Sequence, residues 1–468
     1  MSPLFSLTGI DISTEPEDLI CYSYDASIAA PSLPYAVAWP QSADDVARIV
    51  RHASEHDLAI IPRGAGTGMA GASIPTVAGA IVVSFERMKK ILEIDTQNLQ
   101  AVVEPGVVNG VLQKELDYRG YFYPPDPASL AISTIGGNVS TNAGGPRALK
   151  YGVTRAYVME LEAVLADGTM LTVGGKVQKR VVGYSLKDLL IGSEGTLALT
   201  TKIRLKVLPL PDDVMTLLAV FPDVEAAGAA VPRILGAKVI PRAIEFMDRS
   251  AIEAVERYKP TGLPARSDAL LLIELDGYPA TIAREADRVA SACKTLGGEV
   301  IVAEDRFARE RLWEARRAIS PALKHMDRRK INEDIVVPLD QLAPVLRQLR
   351  SLTERSGIPI VCFGHAGDGN IHVNIMVEKE NPDSYQQGLA LVREIFEITV
   401  AARGAISGEH GIGILKAPYI GLQLKERELD LMRGIKRIFD PRTILNPGKV
   451  FAQAPRPEEF ENQIPLFH

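Results

Sequence analysis

Residues 60–76 read IIPRGAGTGMAGASIPT, and how this stretch is read decides the fold. Gly66-x-Gly68-x-x-Gly71 matches the letters of a dinucleotide-binding fingerprint. That fingerprint requires a strand, a glycine turn, and then a helix whose N-terminus faces a pyrophosphate. The strand is present, since Leu58 to Ile61 is apolar. The helix is not: Ser73-Ile74-Pro75-Thr76 follows, and another apolar strand runs from Ala80 to Phe85. Pro75 and the short gap leave no room for a helix, which argues against a nicotinamide-binding doubly wound sheet. What remains is a run of small residues, Gly64, Ala65, Gly66, Thr67 and Gly68, whose backbone N–H groups can converge on an anion without a helix dipole. Arg63 can add charge, and Thr67 and Ser73 can add hydroxyls. Alone, such a loop could also be a simple tight turn.

It does not stand alone. Ser133-Thr134-Ile135-Gly136-Gly137-Asn138 and Thr141-Asn142-Ala143-Gly144-Gly145 form a second patch of glycines and small polar residues. Gly192-Ser193-Glu194-Gly195-Thr196 forms a third. Three patches in one domain fit a large polar cofactor lying extended across them.

Around these patches the pattern predicts a helix opened by Ser42, with Val46, Ile49, Val50 and Ala53 on one face. It also predicts a strand over Leu99 to Val103, a helix from about Val107 to Arg119, and a hairpin at Asp167-Gly168. A long strand is expected between Thr196 and Leu208. Pro209-Leu210-Pro211 closes the first domain, placed at residues 1–210. Beyond it, strand–helix–strand patterns cover Leu270 to Val302 and Ile331 to Phe363, then Ile371 to Met376 and a helix near Ser384 to Arg403. Such units suggest an antiparallel sheet backed by helices in the ferredoxin-like style, at residues 211–410. A C-terminal segment, residues 411–468, holds one helix (Arg427 to Phe439) and LNPGKVF and ends in a Pro-rich tail.

Composition narrows the class. The 468 residues carry 52 Lys plus Arg against 58 Asp plus Glu, a net charge of −6. That mild acidic excess gives no reason to expect nucleic acid. No apolar run approaches the roughly 20 residues that span a bilayer, and the N-terminal stretch has no secretory pattern. A cytoplasmic protein without a transmembrane segment is the expectation. Three cysteines (Cys21, Cys293, Cys362) cannot hold a four-cysteine iron–sulfur site. A redox centre here would be an organic cofactor.

Of seven histidines, three fall in two short motifs. In HAGDGNIHVN (365–374), Gly367-Asp368-Gly369 is a turn, and His365 can fold back toward His372. His372 and Asn374 share one side of the following strand. In SGEHG (407–411), Glu409 is a carboxylate candidate. Two imidazoles and one carboxylate leave an open position on a divalent metal, the pattern of a catalytic site. A lone His372 on an apolar strand could equally be a hydrogen-bonded core residue, and His410 could merely pack beside the turn. As an imidazole, His410 is also the natural base near neutral pH. In LWEARRAISP (312–321), Arg316 and Ser320 lie four apart on one helix face, and a guanidinium suits a carboxylate.

PRGAGTGMAGAS, EPGV, YPPDPAS, TIGGNVSTNAGG and GSEGTLALTTKI together resemble the FAD domain of the vanillyl-alcohol-oxidase and p-cresol-methylhydroxylase superfamily. The nearer resemblance is to its FAD-linked D-2-hydroxyacid dehydrogenase branch, which includes D-lactate dehydrogenase, the glycolate oxidase flavin subunit and D-2-hydroxyglutarate dehydrogenase. It covers nearly the whole chain.

The resemblance implies an α+β fold: a two-subdomain FAD-binding domain of the p-cresol-methylhydroxylase type, plus the ferredoxin-like substrate domain. It implies that Arg63, Gly64, Ala65, Gly66, Thr67, Gly68, Gly71 and Ala72 hold the FAD pyrophosphate, and that the C-terminal segment, residues 411–468, returns to the flavin site. Pro125, Asp126, Ser133, Thr134, Gly136, Gly137, Asn138, Thr141, Asn142, Gly144, Gly145, Glu194 and Gly195 would wrap the cofactor, and Asn446 and Lys449 would close the site. FAD is expected to be non-covalent, because none of these segments contains a histidine. By the same resemblance His365, His372 and Glu409 match metal ligands, with Zn²⁺ the usual ion; Mn²⁺ and Fe²⁺ also suit the residue types. His410 would be the catalytic base, and Arg316, Ser320 and Asn374 would bind substrate.

The implied reaction is oxidation of a D-2-hydroxy acid, with electrons passed to an electron-transfer flavoprotein, an iron–sulfur subunit, a quinone or a cytochrome. Such a partner could hold the protein at a membrane. One departure concerns substrate: hydroxyglutarate dehydrogenases carry a Lys where this chain has Asn332, which favours lactate or glycolate. A non-catalytic flavin subunit would have no need of the histidine motifs, and a metal-dependent hydrolase would not explain the glycine patches.

Overall fold

A computed structural model describes residues 7–264 and 267–451. The start of the chain and the Pro-rich tail lie outside the described residues. Two compact units emerge. The first comprises the chain up to Gly144, then Val153–Leu210, then the segment from Glu409 onward; the second comprises Gly145–Gly152 and Pro211–Gly408.

The first unit contains two larger sheets among its described residues. Strands β1 (Asp11–Ser13), β2 (Ala36–Trp39), β3 (Ile60–Arg63) and β4 (Ile81–Ser84) form one, in the order β1-β2-β4-β3. Here β2 and β3 both run parallel to β4. The Ala43–Glu55 helix packs on this sheet because Val46, Ile49, Val50 and Ala53 form a single buried stripe. The Ser42 side chain caps it by accepting from Asp45 N at 3.1 Å. Each large aliphatic side chain buried there contributes about 1.5–3 kcal/mol, and Ile49→Ala should cost about 2–5 kcal/mol.

The second sheet of this unit is antiparallel. It contains β5 (Ile91–Asp95), β6 (Gln100–Val103), β8 (Val158–Val164), β9 (Met170–Gly174) and β10 (Leu199–Lys206), ordered β5-β6-β10-β8-β9. The Asp167-Gly168 turn joins β8 to β9, with Val164 opposite Met170. A short ladder pairs β7 (Tyr121–Phe122) with β11 (Leu208–Pro209).

The second unit is built on one seven-stranded sheet, antiparallel at every pairing. Its strands are β12 (Asp213–Phe221), β13 (Ala243–Asp248), β14 (Ala269–Gly277), β15 (Glu299–Val302), β16 (Arg329–Val336), β17 (Ile360–Gly364) and β18 (Asn370–Val377). Their order is β15-β12-β14-β13-β17-β18-β16. β12, β13, β14 and β15 alternate with the helices Val224–Gly236, Arg249–Tyr258 and Pro279–Lys294, and their order β15-β12-β14-β13 is that of a ferredoxin-like sheet with one extra helix between β13 and β14. β14 and β15, read from sequence as the strands of one strand–helix–strand unit, flank β12 on either side. β12 and β13 went unread, as did helices Val224–Gly236 and Arg249–Tyr258. Pro232 lies inside the first of these helices.

The face that matters runs across β17, β18 and β16. Residues directly opposite in an antiparallel pair point to the same side. Asp334 lies opposite His372, Asn332 opposite Asn374, and Lys330 opposite Met376. On the other flank Phe363 lies opposite His372. The Arg306–Lys324 helix packs on this side, burying Ala315, Arg316 and Ile319. Pro321 does not interrupt it.

Candidate active site

In the first unit the three glycine patches converge. The cradle loop leaves β3 at Arg63, whose buried guanidinium donates through Nη1 to Tyr24 O at 2.7 Å. Burial pushes the Arg63 guanidinium below its ordinary value. Gly66 has φ +67°, and a Cβ there would collide with that guanidinium. Gly64 approaches so closely that a Cβ would collide with Thr134 Oγ1, the hydroxyl that caps Gly137 N at 3.2 Å. The third patch joins the second by backbone: Gly192 N donates to Val139 O at 2.9 Å, and Glu194 N to Ser140 O at 2.8 Å. Among these small residues the Ser133 hydroxyl is buried and has no hydrogen-bond partner. A glycine cradle with an unsatisfied buried hydroxyl fits a large polar cofactor.

Some residues expected at the cofactor hold the protein together here. Pro125 O accepts from Asn109 Nδ2 at 3.2 Å and from Gln113 Nε2 at 3.0 Å. Glu194 accepts Ile412 N at 2.6 Å and Gly413 N at 2.8 Å. Asn446 Nδ2 donates to Ala72 O at 2.9 Å and Glu194 O at 2.7 Å, and Lys449 Nζ to Ile74 O at 2.6 Å. Burial pushes the Lys449 ammonium down to about 8. The return segment begins at Glu409, and a Cβ on Gly144 would stand 2.9 Å from Glu409 Oε2. His410 follows, half-buried.

The second unit holds the charged groups. Gly369 (φ +82°) allows the tight turn before β18, where any Cβ would collide with Val337 O. His365 and His372 therefore face each other across the turn, ring centroids 5.2 Å apart and nearly perpendicular. Behind them stands a residue the sequence reading missed. Glu245, fully buried on β13, accepts His365 Nδ1–H at 2.7 Å and pairs with Arg316 Nη2 at 2.6 Å. Burial pushes its carboxyl up, but His365 and Arg316 together outweigh that and hold it below the ordinary carboxylate value. Because the carboxylate takes the Nδ1 proton, Nε2 is the His365 nitrogen with a lone pair to offer, a common backing for a metal-ligating imidazole. The Arg316 guanidinium also lies over the Phe363 ring at 4.9 Å.

Asp334 was likewise missed. It accepts Asn370 Nδ2 at 2.5 Å, Ser407 Oγ at 3.2 Å and Gly408 N at 2.8 Å. It thereby fixes where the chain leaves this unit, just before Glu409. Asn374 has its amide on Val361 O (3.1 Å) and His372 O (3.3 Å), and its oxygen accepts Asn332 Nδ2 at 2.7 Å. Ser320 Oγ accepts Lys330 Nζ at 3.1 Å. The one legible signal for Glu245 was a carboxylate in the middle of an apolar strand, AIEFMD, whose second carboxylate, Asp248, ends the strand. Among the described residues no helix is long and apolar enough to cross a membrane.

Known proteins place this architecture. The description FAD binding domain matches residues 34–174, and FAD linked oxidases, C-terminal domain, matches residues 210–450. The glycolate oxidase subunit GlcD of Bacillus subtilis is 43% identical over 93% of this chain and 93% of its own. A D-lactate dehydrogenase of Archaeoglobus fulgidus is 37% identical over 96% of this chain and 99% of its own. A solved p-cresol methylhydroxylase superposes with a TM-score of 0.78, covering 94% of both chains at 18% identity, which speaks to fold alone. The glycine cradle and the two matched domains thus have one explanation: the chain belongs to the FAD-linked oxidases and is an FAD-dependent oxidoreductase.

Proposed function

We propose that this protein oxidises a D-2-hydroxy acid to the 2-oxo acid, D-lactate first and glycolate next, and passes the electrons to a partner acceptor. The carrying observation is the buried Glu245 carboxylate that holds a guanidinium and an imidazole at once. The names of the two relatives support the substrate class. Arg316 anchors the substrate carboxylate. His410 takes the hydroxyl proton, an imidazole being suited to that work near neutral pH. The chemistry FAD supplies when bound is acceptance of the Cα hydride at N5. His365, His372 and Glu409 are the residues that would hold a divalent ion, Zn²⁺ the first choice, and such an ion polarises a hydroxyl. FAD is held without a covalent bond. D-2-hydroxyglutarate is the second substrate reading.

The test is an anaerobic visible-spectrum titration of the FAD-loaded enzyme with D-lactate, glycolate and D-2-hydroxyglutarate. Bleaching of the flavin band by one of them, lost on chelation and restored by Zn²⁺, is the expected result. No bleaching by any of the three would overturn the reading.

A further inference from the structure

We infer that Lys330, with Ser320 beside it, is a carboxylate-binding group for the substrate, an inference that rests on the functional reading above. Lys330 sits on β16, on the same face as Asn332 and Asp334 and directly opposite Met376. Its ammonium has one hydrogen-bond partner, the neutral Ser320 hydroxyl, and no acidic partner among the described residues. The charged group that most affects it is another cation, Lys324. Burial, the larger effect, and Lys324 together push the Lys330 ammonium down to about 8. An ammonium drawn out of water with no counter-ion is costly unless something anionic visits it.

The neighbours do not supply that anion. Asp334, four residues along the strand, is committed to Asn370, Ser407 and Gly408. Glu245 answers Arg316 and His365. Arg316, the cation chosen from sequence, therefore already has its counter-charge, whereas Lys330 has none. Polar atoms around the same face also await a partner: Asn332 Oδ1 and Arg316 Nε are buried without a hydrogen bond. Ser320 is one helical turn from Arg316, so a ligand held by Arg316 can reach Lys330. Asn332 stands where a lysine was expected for a dicarboxylate, and Lys330 lies one step further along the same strand face.

The substrate carboxylate can be the one next to the hydroxyl or a distal one, and two non-oxidisable product probes separate them. Pyruvate and 2-oxoglutarate are titrated calorimetrically into the FAD-loaded wild type, Lys330→Met, Lys330→Arg and the surface control Lys324→Met. Flavin content and melting temperature are recorded for each. We expect Lys330→Met to weaken binding roughly 10- to 100-fold, the worth of one charge-assisted hydrogen bond, with Lys330→Arg closer to wild type. Loss for both probes assigns the carboxylate beside the hydroxyl, and loss for 2-oxoglutarate alone assigns a distal one. Lys330→Met binding both probes within twofold of wild type overturns the inference, as does an equal loss in Lys324→Met. Product binding needs no turnover, so an enzyme that binds them through Lys330 yet bleaches with no hydroxy acid would sink the functional reading alone.

Discussion

The two units build their sites from different materials. In the first, the cofactor cradle is backbone: Gly66 and Gly64 are brought so close to Arg63 and Thr134 that a Cβ would collide. In the second, the charged face of the sheet is side chain: a carboxylate, a guanidinium, two imidazoles and an ammonium on strands and one helix. A backbone site depends on space and φ, so it fails by steric intrusion. A side-chain site depends on charge pairs taken out of water, so it fails when one partner is removed. The same protein should therefore show two distinct kinds of mutational damage.

The largest effect tests whether chemistry can be lost while the cradle stays intact. His410→Asn should slow anaerobic flavin reduction by roughly 10²- to 10⁴-fold, the range for removing a general base, with flavin content unchanged. A variant reduced at the wild-type rate would remove His410 from its role. Glu245→Gln comes next. Leaving Arg316 buried beside a neutral amide should cost about 3–5 kcal/mol in denaturant unfolding. Substrate KM should rise along with it, and Glu245→Asp should restore part of both. If KM stays at its wild-type value while stability falls, Glu245 is only a structural ion-pair partner.

Gly66→Ala should do the opposite damage. A left-handed conformation costs a Cβ-bearing residue about 1–2 kcal/mol, and the collision with Arg63 adds to it. FAD affinity, read by flavin fluorescence, should fall about tenfold or more. The saturated variant should reduce its flavin near the wild-type rate, and a slow, saturated variant would blur the division of labour. The smallest effect is a pH dependence. The Lys330 ammonium, lowered to about 8 in the free enzyme, is charged below that value and neutral above it. Affinity for whichever product probe Lys330 holds should stay level below about pH 8 and decline above it, while Lys330→Arg stays flat through that range. Equal decline in both would assign the titration elsewhere.

How much of this was legible in the sequence follows the same division. The cradle was visible because glycine runs and the Pro75 interruption are local features. The Ala43–Glu55 helix and the Asp167-Gly168 hairpin were visible for the same reason. β12 was not, because a central strand covered on both faces, VMTLLAVF, has no alternation to read. The Val224–Gly236 helix was hidden by Pro232, which argues against a helix interior. Arg316, His365 and His372 stood out as candidates by residue type and spacing. Glu245 and Asp334 were not, because each acts on residues far away in sequence: Glu245 on His365, Asp334 on Gly408. Nothing local in RRKINED singles out Lys330, and its lack of a counter-ion in three dimensions is what sets it apart.

The return of the chain to β3 has a consequence for how the protein is made. Ile60 forms a parallel bridge with Leu445; Ile60 N donates to Ile444 O, and Asn446 N to Ile60 O, both at 2.7 Å. Asn446 and Lys449 then tie down Ala72 and Ile74 on the far side of the cradle loop. β3 thus waits for a segment that is translated long after it. Until then the nascent chain carries a cradle without its clasp, so flavin capture should follow the translation of residues 444–449. A frameshift or premature stop anywhere upstream of residue 444 should yield colourless protein, however well its earlier domains have folded.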